Sequence, residues 1–133
     1  GADCVGLADT VGYADPAQVR RLFEKAFRAV ADKLACAHFH DTRGLAMANV
    51  CAALDVGVRR FDASLAGIGG CPHAPGASGN ASTEDVVFML ERMGFDTGVN
   101  LSALLALRKR VTEWLHGEQF GGAIWRAGMP KAA

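Results

Sequence analysis

Between Pro16 and Val30 the apolar residues Val19, Leu22, Phe23, Ala26, Phe27 and Val30 recur three and four positions apart, with Arg20, Arg21, Glu24, Lys25 and Arg28 between them. That period predicts an amphipathic helix. Asp15 suits its cap and Pro16 its first turn, where a missing N–H costs nothing. Two other stretches lack the helical period: Asp3–Leu7, a short apolar run stopped by Ala8-Asp9-Thr10, and Leu34–Phe39, a nearly continuous one. Both read as strands, the second as a strand covered on both faces. A helix is expected from about Leu45 to Val56, ended by Gly57, followed by a third strand over Val58–Leu65. Ser82 with Asp85 comes close to a capping box, opening a helix that runs through Met93 and stops at Gly94. Asn100 caps a last helix, Leu101 to about Leu115, with leucines at 101, 104 and 105. The Gly-rich tail from Gly117 onward shows no period and is left unassigned.

Strands alternating with helices argue for an α/β protein with a parallel sheet of right-handed βαβ units. Three such strands form either a small open sheet or part of a (β/α)8 barrel, which needs roughly 250 residues. At 133 residues, length favours the open sheet; the chemistry favours the barrel.

Half the residues are apolar and 21% are charged, as in a globular chain with a real core. Fourteen Lys and Arg balance fourteen Asp and Glu, so no field favours nucleic acid or an anionic membrane surface. No apolar run approaches the roughly 20 residues of a membrane span, and Gly1-Ala2-Asp3 does not open as a signal peptide does. The four cysteines (4, 36, 51 and 71) show no CxxC spacing and read as buried free thiols of a reducing compartment.

The chemistry concentrates in two places. The loop Ile68–Asn80 holds four glycines and two prolines, which exclude helix and central strand, yet carries Cys71, His73 and Asn80. A single thiol on such a loop is either a proton donor or nucleophile on an active-site flap, or a small residue in a tight turn. His73 either tunes that thiol or solvates the loop. Asn80 offers an amide oxygen suited to a hard cation, unless it only serves the helix entry. Upstream, His38 and His40 stand two apart at a strand end, so both imidazoles fall on one face. They are a candidate pair of metal ligands, or else polar residues satisfied at a strand terminus. Asp41 reads as a turn and cap residue. Asp9, ending the first strand at the same mouth, is a general acid/base, a partner of a ligand, or a loop starter; Asp62 repeats the pattern more weakly.

Three stretches taken together, His38-Phe39-His40-Asp41-Thr42-Arg43-Gly44, Gly67-Ile68-Gly69-Gly70-Cys71-Pro72 and Gly76-Ala77-Ser78-Gly79-Asn80, closely resemble the 3-hydroxy-3-methylglutaryl-CoA lyases. Ala8-Asp9-Thr10-Val11-Gly12 and Thr97-Gly98-Val99-Asn100-Leu101 extend the likeness over almost the whole chain, least firmly past Leu115. The His-x-His and Gly-Asn elements occur across the wider metal-dependent aldolase and acyl-CoA condensing barrels, whereas the Gly-Gly-Cys-Pro loop looks like the lyase alone.

The resemblance implies a TIM barrel, of which residues 1–133 supply the carboxyl-terminal βα units. It implies a Mg²⁺ or Mn²⁺ ion on His38, His40 and Asn80, and an acyl-CoA substrate cleaved to acetoacetate and acetyl-CoA. Cys71 would protonate the enolate, His38 would help move the hydroxyl proton, and Asp9 would be an acidic residue of the site. The family's remaining aspartate ligand and its neighbouring arginine follow the first barrel strand and have no counterpart here, so this chain by itself is expected to be incomplete for activity. Its two strand edges would need covering, by a second copy in a dimer or by the amino-terminal half. A related lyase acting on a longer branched acyl-CoA, or a non-catalytic half-barrel, are the other readings. The expected compartment is bacterial cytoplasm, or the mitochondrial matrix in a eukaryote.

Overall fold

The computed structural model describes residues 1–71, 76 and 79–129. The expectations placed on Pro72, His73 and Ser78 lie outside the described residues. Three strands, β1 (Val5–Asp9), β2 (Leu34–Phe39) and β3 (Phe61–Asp62), form a parallel sheet in the order β1-β2-β3. The helices are α1 (Pro16–Val30), α2 (Ala46–Asp55), α3 (Thr83–Arg92), α4 (Leu101–Trp114) and the one-turn α5 (Ile124–Ala127). Each strand-to-strand connection passes through a helix, the arrangement that parallel pairing requires.

The capping chemistry acts as expected at α1 and α4. Asp15 accepts from the Gln18 amide at 2.9 Å and Asn100 from the Ala103 amide at 3.0 Å. The Val19 and Phe23 stripe of α1 is buried with Val50, Ala53 and Leu54 of α2 and with Ala37 and Phe39 of β2. The Phe23 and Phe39 rings lie 6.3 Å apart and tilted at 54°, within the range favoured by ring quadrupoles.

Four expectations change. β1 runs Val5–Asp9 rather than Asp3–Leu7, because its pairing with β2 continues through Ala8–His38 and Asp9–Phe39. β2 buries Leu34, Ala37 and Phe39, but Ala35, Cys36 and His38 are only half-buried, so one face is covered within this chain and not both. The thiols are therefore not core residues. All four are free, Cys4 is exposed, and the other three are half-buried. Finally, β3 is two residues long instead of eight. Beyond Asp62 the chain parts from β2, since Ala81 intervenes: its amide donates to Phe39 O (2.9 Å) and its carbonyl accepts from Ser64 N (3.1 Å). The residue after the glycine-rich loop is thus wedged between the ends of β2 and β3.

Candidate metal and thiol site

The Ala81 wedge brings the two chemical clusters together. Asn80 forms an isolated antiparallel bridge with His40, and Asp41 N donates to Gly79 O at 3.0 Å. The loop closes on itself here. Asn80 N donates to Gly67 O at 3.0 Å, and a Cβ on Gly79 (φ +127°) would overlap that same carbonyl oxygen. Only glycine fits at 79, for both steric and conformational reasons.

His38 and His40 lie with ring centroids 5.1 Å apart at 68°, as their spacing on one strand end predicts. His40 is 6% exposed and its Nδ1 has no hydrogen-bond partner among the described residues. Its pKa is lowered from the ordinary imidazole value, first by burial and next by His38, while the Asp9 carboxylate pulls the other way. A neutral imidazole with a free nitrogen is the state in which histidine binds a metal.

Asn80 is oriented by two donated bonds, from Nδ2 to Ile68 O (2.7 Å) and to Gly69 O (3.0 Å). With the nitrogen so committed, Oδ1 is buried and without a partner. Buried polar atoms are rarely left unpaired, since each costs about 1–3 kcal/mol. Two such atoms on bridged residues, a ring nitrogen and an amide oxygen, suit a divalent cation. Among the described residues no three His, Cys, Asp or Glu side chains converge on one point. The candidate donors here are the two imidazoles and the Asn80 amide oxygen.

Asp9 ends β1 at the same mouth, and its two carboxylate oxygens accept from Tyr13 N and Ala14 N, both at 3.0 Å. It holds its own loop while its charge acts on His40. Asp41 Oδ1 accepts from Ala46 N at 3.0 Å and so caps the entry to α2. Asp62 faces Cys36. Burial, followed by the hydrogen bond and charge of Asp62, pushes that thiol up to about 11, which keeps it protonated and unreactive. Cys71 is half-buried at the start of the loop segment outside the described residues.

Sequence reasoning missed the tail. A cleft of about 130 Å³ beside Asn80 is walled by Asp41, Gly79 and the segment Gln119–Gly122. That segment is anchored from α3, where Asp85 accepts from Ala123 N and Ile124 N at 2.7–3.0 Å instead of capping its own helix as expected. Ser82 likewise gives no cap bond; its hydroxyl donates to Glu84 Oε2 at 2.7 Å. One signal was legible: Arg108 falls on the stripe of Leu101, Leu104 and Leu105, where a charge needs a buried partner.

Against known proteins, a family profile described as HMGL-like matches residues 1–111. The hydroxymethylglutaryl-CoA lyase YngG of Bacillus subtilis is 49% identical over 109 residues, 82% of this chain and 36% of that protein. The 3-hydroxy-3-isohexenylglutaryl-CoA/hydroxymethylglutaryl-CoA lyase of Pseudomonas aeruginosa is 41% identical over 128 residues, 96% of this chain and 42% of that protein. Among solved structures, an HMG-CoA lyase of Acinetobacter baumannii, in complex with coenzyme A and 3-methylmalate, superposes with a TM-score of 0.90 at 44% identity. That superposition covers 98% of this chain and 43% of that one. The chain thus spans about two fifths of the length of these proteins.

Proposed function

The chain belongs to the HMGL-like family, and we propose that it supplies the metal- and thiol-bearing part of a divalent-metal-dependent carbon–carbon lyase. The reaction is cleavage of 3-hydroxy-3-methylglutaryl-CoA to acetoacetate and acetyl-CoA. One observation carries this reading: His40 and Asn80 form a backbone bridge at a strand's carboxyl end, beside His38, and His40 Nδ1 and Asn80 Oδ1 are buried without a partner among the described residues.

His38, His40 and Asn80 would hold a Mg²⁺ or Mn²⁺ ion, which when bound supplies Lewis acidity toward the substrate's 3-hydroxyl. The chain's own groups do the rest. His38, half-buried and edge-on to His40, would take the hydroxyl proton as the C–C bond breaks. The electron pair of that bond passes to the acetyl-CoA fragment as an enolate. The Cys71 thiol delivers the proton that converts the enolate to acetyl-CoA. Asp9 fixes the Tyr13–Ala14 turn at the rim and keeps negative charge near His40.

In the intact protein, acetyl-CoA release from 3-hydroxy-3-methylglutaryl-CoA should require Mg²⁺ or Mn²⁺ and stop with EDTA. Cys71→Ala should lower turnover by about 100-fold or more, the scale of a lost proton-transfer group. Parental turnover in Cys71→Ala would overturn the donor role.

A second reading concerns the acyl group. The match to the Pseudomonas aeruginosa lyase runs over 128 residues and so includes Gln119–Gly122, the segment that walls the cleft beside Asn80. That reading makes a longer branched 3-hydroxyacyl-CoA a substrate as well, and the ratio of kcat/KM for the two thioesters decides between them.

A further inference from the structure

Glu84 is fully buried and Arg108 is 2% exposed, and they form an ion pair at 3.1 Å. Such a pair is no economical source of stability, since its desolvation roughly offsets its attraction and an apolar pair of similar volume serves as well. What the pair does is visible in its other bonds. Both Glu84 oxygens accept from Ala66 N, at 3.1 and 2.9 Å, and Ser82 donates to one of them. Arg108 gives its second amino group to Gly121 O at 2.7 Å, and its guanidinium lies 4.7 Å from the centre of the Trp125 ring. Gly121 N in turn donates to Ala66 O at 2.7 Å. Three chain segments therefore meet on one ion pair.

Ala66 is the strained element among them. It is fully buried with φ +57° and ψ +16°, a left-handed conformation that costs a residue with a Cβ on the order of 1 kcal/mol and persists only when its surroundings impose it. Here Glu84 holds its amide and Gly121 its carbonyl. The turn matters because Gly67, next in line, takes the Asn80 amide on its carbonyl, and Ile68–Cys71 departs from it. Both ends of the Cys71 loop thus hang on the Ala66–Gly67 turn.

We propose that Arg108 is a positioning residue. Through Glu84 and the Gly121 carbonyl it clamps the strained Ala66–Gly67 turn, and so sets the place of both the Cys71 thiol and Asn80 relative to the imidazoles. Segment 120–126 is on this account a working part of the site. The activity arm of the test rests on the lyase reading; the structural arms do not.

The experiment compares the intact parent protein with Arg108→Met, Arg108→Lys and the double variant Glu84→Gln/Arg108→Met, which removes both charges and keeps the fold testable if Arg108→Met alone does not fold. In the Met variant and the double variant, amide exchange at 64–67 and 119–123 should rise about tenfold or more while α1 and α2 exchange as in the parent. Iodoacetamide labelling of Cys71, read by peptide mass, should change rate severalfold, and Trp125 emission, read in a Trp114→Phe background, should shift. Turnover should fall about 10- to 100-fold with KM little changed, as expected when a reacting group is displaced rather than removed. Arg108→Lys should recover part of each effect. Parental loop exchange and Cys71 reactivity in the double variant would overturn the proposal, as would exchange that rises evenly over the whole molecule. A parent protein that cleaves no thioester would defeat the lyase reading, while exchange and labelling would still decide the role of Arg108.

Discussion

On one side of the sheet, Val19 and Phe23 of α1 meet Val50, Ala53 and Leu54 of α2 over Phe39, and the polar side chain buried with them is Asn49. At the mouth of the sheet, the segments around Ala66, Ser82 and Gly121 meet instead on Glu84 and Arg108, both buried and both charged. The apolar side tolerates any packing of about the right volume. The polar side accepts one geometry, because each bond there is directional and each group is costly to leave unpaired. Precision is needed at the mouth and not in the apolar layer. The α1–α2 layer supports the strands, whereas the charged clasp sets a turn from which the candidate catalytic loop departs.

That contrast can be broken by substitution. Glu84→Gln changes volume hardly at all yet strands the Arg108 charge, and should cost about 3–5 kcal/mol in a urea melt. Phe23→Leu, a large-to-small change on the apolar side, should cost less than about 3 kcal/mol, because only part of the ring's volume is lost and neighbours can close on it. Equal costs for the two would erase the distinction. Asp15→Ala removes the bond to Gln18 N that starts α1 and should cost about 1 kcal/mol, with exchange rising only in the first turn. Arg20→Ala removes an ion pair with Asp55 whose side chains are 45% and 58% exposed, so solvent screening should keep its cost within about 1 kcal/mol. A larger loss would show that exposed charge contributes to the apolar layer.

How far the sequence foretold this follows the same division. α1 and α4 were legible because their apolar period and caps act within four residues: Asp15 reaches Gln18 and Asn100 reaches Ala103. The His38–His40 pair was legible because strand geometry alone puts both rings on one face. β3 was overextended, since a strand's length depends on its partner, and Ala81 takes that place after Asp62. Ser82 and Asp85 suggested a local cap, but their oxygens serve Glu84 and, 38 residues away, Ala123. The role of segment 119–124 had no local signal at all, apart from one arginine on a leucine stripe. Bonds that close over 13 to 39 residues, such as Arg108 to Gly121 and Asp85 to Ile124, leave no period to read.

The strand end and the returning glycine loop, joined by the His40–Asn80 bridge, are proposed to make one cation site whose binding does not depend on the Cys71 thiol. Mn²⁺ titration of the intact protein, followed by electron paramagnetic resonance, tests this in parent, His40→Ala, Asn80→Ala and Cys71→Ala. His40→Ala and Asn80→Ala should each weaken Mn²⁺ binding by at least the roughly 10–100-fold typical of lost support around a metal, while Cys71→Ala should bind as the parent does. Parental Mn²⁺ affinity in both His40→Ala and Asn80→Ala would contradict it.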